Sequence, residues 1–254
     1  MPPEADRADP VAGLRARVGA IRFWWHSIDL GGGVVTPGRK GDLALMESEL
    51  AGMRLPDLRG CSVLDIGAWD GYFSFAAERM GAARVVALDS FVWEIDHGAD
   101  PLAPSPWRLP GRRGFDLAHA ALGSAVEPVH LDFSTGDLAG VGTFDVVLFL
   151  GVLYHLEDPL GALCRLRGLT DGLAVIETEA AEWPGHEDVG LLELFPSDER
   201  GGDPTNWWAP SREGLLELCR AAGFSAVEVV RGPPAPEPGT RGPTRYRLLV
   251  HARP

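Results

Sequence analysis

The stretch CSVLDIGAWDG, residues 61–71, decides the fold. Its first five residues, Cys-Ser-Val-Leu-Asp, have the composition of a short buried strand that closes on an acid. Gly67 follows at once, then Asp70 and Gly71. Phe73, Ala76, Ala77 and Met80 then recur at i, i+3, i+4 and i+7, with Gly81 where a helix C-cap belongs. Strand, glycine turn and helix in that order make the first crossover of a parallel α/β sheet. Such a turn brings backbone N–H groups and a helix N-terminus up to a ligand at the sheet's carboxyl edge.

The turn also restricts the ligand. A dinucleotide site wants G-x-G-x-x-G, so that backbone can approach a pyrophosphate. Here Trp69 takes the place of the second glycine, which crowds a pyrophosphate and counts against nicotinamide chemistry. Asp65, closing the strand, suits a ligand that carries positive charge. A second acid, Asp89, ends the next predicted strand, residues 84–89, and its carboxylate can accept hydrogen bonds from ribose hydroxyls.

Further strands are predicted at residues 126–131, 144–150, 172–177, 224–230 and 246–251. The fourth, FDVVLFL, is nearly all apolar, as a strand covered on both faces should be. Helices are predicted from Pro10 towards Trp25, over 43–53 and 115–122, after Asp158-Pro159, and after Ser211. Together these predict an α/β fold: a doubly wound, mostly parallel seven-stranded sheet whose last two strands form an antiparallel pair. The expected division is an N-terminal helical segment, 1–54, and a ligand-binding domain, 55–254. Insertions at 91–113 and 180–210 would join the first segment as a lid. Residues 1–9 read as disordered, and the Pro/Gly-rich stretch 232–243 as a mobile loop.

Composition excludes several classes. At 254 residues and 45% apolar content, one domain with an ample core is expected. No apolar run approaches the length of a membrane span, and the polar start MPPEADRADP lacks a signal-peptide core, so a cytoplasmic protein is expected. Cys61, Cys164 and Cys219 share no metal spacing. Two of them, Cys164 and Cys219, fall on predicted apolar helix faces, and buried reduced thiols are expected. His186-Glu187-Asp188 reads as a solvated acidic loop, and no metal site is indicated. A net charge of −13 argues against a nucleic-acid partner, since phosphate contacts need a basic surface. Oligomeric state is not legible.

The Asp-x-Gly-x-x-x-Gly turn with an acid ending the second strand resembles the class I S-adenosylmethionine (SAM) methyltransferases, whose fold is Rossmann-like. HSIDLGGGVVTPG, residues 26–38, and FDVVLFLGVLYHLEDPL, residues 144–160, resemble the branch that includes the tRNA wobble-uridine carboxymethyl transferases. The resemblance covers about residues 20–225. It implies SAM as cofactor, held by Asp65, Gly67, Ala68, Trp69 and Gly71 of the turn, by Asp89 and Ser90, and by Asp132, Phe133 and Leu150. In that arrangement Asp132 meets the adenine amino group, an apolar neighbour lies on the ring, and Tyr154 faces the transferred group. Asp132 has a second reading as a turn or cap residue. The aromatic and basic residues with which the tRNA enzymes bind a carboxylated cofactor fall here at Gly38 and Leu43, with Lys40 the nearest base, which favours plain SAM. The implied acceptor is a small molecule, a hydroxyl of a sugar or aromatic natural product. A tRNA modifier and an inactive SAM-binding protein are the alternatives.

For the acceptor side, His155 is the best-placed base, because it follows the fourth strand at the carboxyl edge and its ordinary pKa lies close to working pH. Its other reading is a hydrogen bond within its loop. His26 and Glu177 are its competitors. Trp24, Trp207 and Trp208, with Trp25 and Trp183, offer flat faces with one donor, suited to sugar or aromatic ligands, and read otherwise as core. The glycine-dense loop of residues 27–38 either closes over a ligand or only connects.

Overall fold

In the computed structural model, which describes residues 9–97, 109–234 and 242–254, helices α1 (Pro10–Ala20) and α2 (Leu43–Gly52) come first. There follow β1 (Ser62–Ile66), α3 (Tyr72–Arg79), β2 (Arg84–Asp89), the short α4 (Phe91–Glu94), α5 (Arg113–Leu122) and β3 (Glu127–His130). The second half holds β4 (Phe144–Leu150), α6 (Pro159–Leu169), β5 (Thr170–Glu182), β6 (Leu192–Leu194), β7 (Trp208–Pro210), α7 (Arg212–Ala221), β8 (Ala226–Arg231) and β9 (Thr244–Arg253). The expected disorder of the first eight residues, the irregular course of 98–108 and the mobile loop at 235–241 lie outside the described residues.

Seven strands form one sheet in the order β3-β2-β1-β4-β5-β9-β8. The first five pair in parallel, and β9 runs antiparallel to both β5 and β8. This is the predicted doubly wound sheet. The chain moves outward from β1 through β2 to β3, then returns to the other side of β1 with β4. That reversal opens a crevice outside the carboxyl ends of β1 and β4, where doubly wound sheets bind ligands.

Burial explains the apolar run of β4. Val146 and Leu148 belong to one hydrophobic cluster with Phe73, Phe75 and Leu249, on one face of the sheet. Val147 and Phe149 belong to a second with Leu163, Leu166 and Leu215 from α6 and α7, on the other. Alternation of side chains along a strand covered on both faces calls for apolar residues on both faces, and in β4 only the exposed Asp145, near its start, departs from this.

Several expectations are corrected. Helix α1 stops at Ala20, with Ile21 already extended, so Phe23, Trp24 and Trp25 lie beyond it. The glycine-dense loop is a hairpin: Leu30 N–H donates to Val34 O (2.8 Å) and Thr36 N–H to Ile28 O (3.0 Å). Its turn places Gly31, Gly32 and Gly33 at φ +84°, +60° and +73°, a run that side chains with a Cβ disfavour. Strand β5 runs on to Glu182 because β9 pairs with it along its length. Insertion 180–210 therefore begins inside the sheet, and it carries the two-stranded β6–β7 ribbon. Cys219 is buried as expected, and burial pushes its thiol up to about 12, but Cys164 is exposed. Among the described residues, no helix is long and apolar enough to cross a membrane and no cluster of three His, Cys, Asp or Glu side chains is placed to hold a metal ion.

Candidate functional site

The turn after β1 is pinned to the end of β2. Gly67 and Ala68 both donate backbone N–H to Leu88 O, at 2.8 and 3.3 Å. Gly67, Trp69 and Gly71 all have left-handed backbone, at φ +76°, +53° and +89°. A Cβ on Gly67 would sit 2.5 Å from Val152 Cγ2, and one on Gly71 2.6 Å from the Phe75 ring. Trp69 carries the cost of a left-handed non-glycine residue, offset by a set of specific contacts. Its N–H donates to Asp89 Oδ2 (2.9 Å), its carbonyl accepts from Trp93 Nε1 (2.7 Å), and its ring stacks on Trp25 at 4.9 Å.

Asp65 and Asp89 flank this turn at 2% and 6% exposure. Asp65 accepts from Ser74 Oγ (2.6 Å), while Asp89 accepts from the N–H groups of Trp69 and, at 3.3 Å, Val92. Burial pushes both carboxyls up to about 6, and neither forms an ion pair with a Lys or Arg among the described residues. Two buried carboxylates beside such a turn have the chemistry to accept from hydroxyl donors and to face positive charge.

Asp70, inside the same turn, clips the N-terminal segment to it. Its Oδ2 accepts from the backbone N–H groups of Trp25 (2.7 Å) and His26 (2.9 Å), and its Oδ1 bonds His26 Nδ1. His26 is buried, stacked on Tyr72 and edge-on to Phe73. Its role here is internal to the clip. Trp24 is 2% exposed and donates from Nε1 to Val18 O (3.3 Å), which makes it a core residue and corrects the expectation that it meets an acceptor.

At the carboxyl end of β4, where Leu150 lies beside Glu177 of β5, a narrow cleft is lined by Lys40, Glu49, Phe73, Leu150, Glu177 and Arg231. Glu177 grips the Arg247 guanidinium with both oxygens, Nη2 to Oε2 at 2.6 Å, and Arg231 approaches at 3.5 Å. The Arg247 guanidinium lies 4.9 Å over the Tyr154 ring. Lys40 pairs with Glu49 at 2.6 Å and lies 5.5 Å from the centre of the Phe73 ring.

His155 ends a 3₁₀ turn, Leu153–His155, that follows β4. Its ring packs on Tyr154 at 4.2 Å. Its Nδ1 lies 2.8 Å from Thr205 Oγ1 and 3.1 Å from Thr205 O. Burial lowers its pKa, which keeps the ring neutral at working pH. The same insertion is held down at two more points: Trp207 N–H donates to Tyr154 O (2.7 Å) and Trp208 Nε1 to Glu157 O (3.2 Å). Both tryptophans are half-buried.

Other assigned residues sit elsewhere. Ser90 is half-buried at the N-cap of α4 with no side-chain cap bond. Asp132 is exposed and ties its own turn, accepting from Ser134 N–H and Oγ at 2.7 Å each and from Thr135 Oγ1 at 2.7 Å. What burial it has acts to raise the carboxyl, but the Ser134 and Thr135 hydrogen bonds outweigh this and hold it below the ordinary value. Of the two readings of Asp132, the turn is the one realised. Phe133 is 5% exposed and packs on Phe149 at 5.2 Å, so it belongs to the core, which corrects its place on a ligand ring. Sequence reasoning missed Asp70, Thr205 and Arg247. Only Asp70 had a local signal, its position inside the turn.

The chain matches a methyltransferase-domain family over residues 41–229. Similar curated proteins include the tRNA U34 carboxymethyltransferase of Shewanella sp. strain W3-18-1, 31% identical over 176 residues, which are 68% of this chain and 46% of that one. That of Campylobacter lari strain RM2100 is 26% identical over 181 residues, 69% of this chain and 53% of that one. The chain thus spans about half the length of the curated relatives it matches. Among solved structures, the N-terminal domain of EvdMO1 with S-adenosylhomocysteine (SAH) bound has a TM-score of 0.66 at 18% identity, covering 98% of this chain and 99% of that one. The same domain in the presence of SAH and D-fucose gives 0.64 at 17%, with the same coverage. At those identities the likeness is one of fold.

Proposed function

The chain belongs to the class I SAM-dependent methyltransferases, and from that membership we propose that it methylates a hydroxyl of a small molecule, a sugar or an aromatic natural product. The observation that carries the reading is the pair of buried carboxylates, Asp65 and Asp89, flanking a turn that is bare of Cβ at Gly67 and Gly71. SAM, when bound, supplies a methyl group on a sulfonium. Asp89 would take the ribose hydroxyls, Asp65 would face the positively charged end, and Leu150 with Phe73 would form the apolar wall towards the acceptor. His155 would take the acceptor's proton, and proximity does much of the rest. A net charge of −13 supports a small acceptor over a polyanion. A fold relative studied in the presence of D-fucose supports a sugar. The name of the curated relatives favours a second reading, tRNA modification.

The test is calorimetric titration with SAM, SAH and NADH. SAM and SAH are expected to bind with micromolar affinity and NADH not at all. Asp89→Ala is expected to lose the two adenosyl ligands. Preference for NADH would overturn the cofactor. Methyl transfer from labelled SAM to D-fucose and other monosaccharides, against total tRNA, then separates the two acceptor readings.

Affinity for SAM is also expected to depend on pH. The two carboxyls sit at about 6 in the fold, above the unfolded value near 3.9. The folded chain therefore holds protons more tightly, and their ionisation costs stability as pH rises from about 4 to about 6. A ligand that needs them ionised binds more weakly below pH 6. One such group makes SAM bind about tenfold more weakly at pH 5 than at pH 7. A flat affinity across that range would remove Asp65 and Asp89 from the site.

A further inference from the structure

The geometry points to Asp203 and Thr205, in the insertion after β5, as positioning residues that hold His155 in the tautomer whose lone pair is on Nε2, the atom that accepts the acceptor's hydroxyl proton. This inference rests on the methyl-transfer reading above.

The assignment follows from counting donors. Asp203 Oδ1 accepts from Thr205 backbone N–H at 2.9 Å and lies 2.7 Å from Thr205 Oγ1. An ionised carboxylate only accepts, so the single hydrogen of the Thr205 hydroxyl points at Asp203. Its lone pairs are then what His155 Nδ1 meets at 2.8 Å. The other neighbour of Nδ1 is the Thr205 carbonyl at 3.1 Å, which also only accepts. Two acceptors at Nδ1 place the hydrogen there, and in a neutral imidazole the lone pair then lies on Nε2.

The charged groups around the ring are consistent with a base. Burial favours the neutral form, Arg247 on β9 acts in the same direction, and Asp203 opposes both. Arg247 is in turn held by Glu177 on β5, and the ring packs on Tyr154. In the reaction the acceptor's O–H bond breaks and its proton moves to Nε2. The oxygen's electron pair forms the bond to the methyl carbon, and the pair of the broken C–S bond stays on sulfur. The imidazolium formed keeps its Nδ1–H on Thr205, and Asp203, one hydrogen bond further, faces its new charge. Chain topology brings this relay together. Trp207 N–H on Tyr154 O and Trp208 Nε1 on Glu157 O dock the insertion against the segment that follows β4.

The experiment is long-range ¹H–¹⁵N correlation of histidine rings in the whole SAH-bound protein, with the His155 signals identified by their loss in His155→Asn. The wild type is expected to show the Nδ1–H tautomer alone at high pH. Thr205→Ser is expected to keep it, and Thr205→Val, which leaves Nδ1 only the longer contact to the residue-205 carbonyl, to show a mixture with Nε2–H. Asp203→Asn is expected to lower the His155 titration midpoint by about one pH unit, because it removes the facing negative charge. An Nε2–H tautomer in the wild type, a tautomer unchanged in Thr205→Val, or an unmoved His155 midpoint in Asp203→Asn overturns the relay. The wild-type spectrum decides even if a variant fails to fold. Calorimetry on the same samples separates the two levels: no SAM binding overturns the methyl-transfer reading, whereas SAM binding with the wrong tautomer overturns only this inference.

Discussion

Asp70→Ala is expected to destabilise the fold by about 3–5 kcal/mol, because it leaves the part-buried N–H of Trp25 and the buried N–H and ring nitrogen of His26 without their partner. In a chain of this size that is a fall of about 10 °C in Tm. The consequence is local as well as global. Trp25 stacks on Trp69, and Trp69 in turn donates to Asp89, so loss of the clip frees the ring that braces the ligand turn. SAH affinity should weaken along with the melting temperature, and tryptophan fluorescence should report the broken stack. Asp70→Asn keeps one acceptor oxygen for the two backbone donors but turns an amide towards the ring, so a smaller loss is expected. Thermal unfolding of Asp70→Ala within 1–2 °C of wild type would show that the N-terminal segment is held by packing alone.

His155→Asn is expected to lower kcat about 10²–10³-fold while leaving the Kd for SAM unchanged, the mark of a general base that acts on the acceptor. Asn keeps a polar group near Thr205, so docking of the insertion should survive. Glu177 is the nearest competitor for the role, but both of its oxygens are committed to Arg247, and Arg231 lies close by. Removing Glu177 would take both of its hydrogen bonds from the Arg247 guanidinium and leave it the longer pair with Glu179 at 3.7 Å, a structural loss. Equal turnover in wild type and His155→Asn would end the base assignment and make proximity the whole of the catalysis.

The sheet was legible because its signals are local. Phe144–Leu150 is apolar at every position but Asp145, the α3 pattern repeats at helical spacing, and glycine turns punctuate the strands. The turn itself was legible too, since Asp65, Gly67 and Gly71 lie within a few residues of one another. The match over residues 41–229 agrees with the family that those residues resemble.

What only the tertiary structure decided lies between segments. The bonds from Trp25 and His26 to Asp70 cross more than forty positions, His155 to Thr205 crosses 50 and Glu177 to Arg247 crosses 70. Trp24 went to the core while Trp25 went to the turn, although both fit the same aromatic cluster. Asp132 was taken by Ser134 and Thr135, neighbours whose hydroxyls a strand-end pattern does not weigh. Hydrophobic periodicity records which face of an element is buried, and so it determined the sheet, its helices and the ligand turn. It carries no record of which loop crosses which. A polar side chain buried by such a crossing takes whatever partner the crossing delivers, so the clip on the turn, the Glu177–Arg247 pair and the contact of His155 with Thr205 were decided by the packed chain alone.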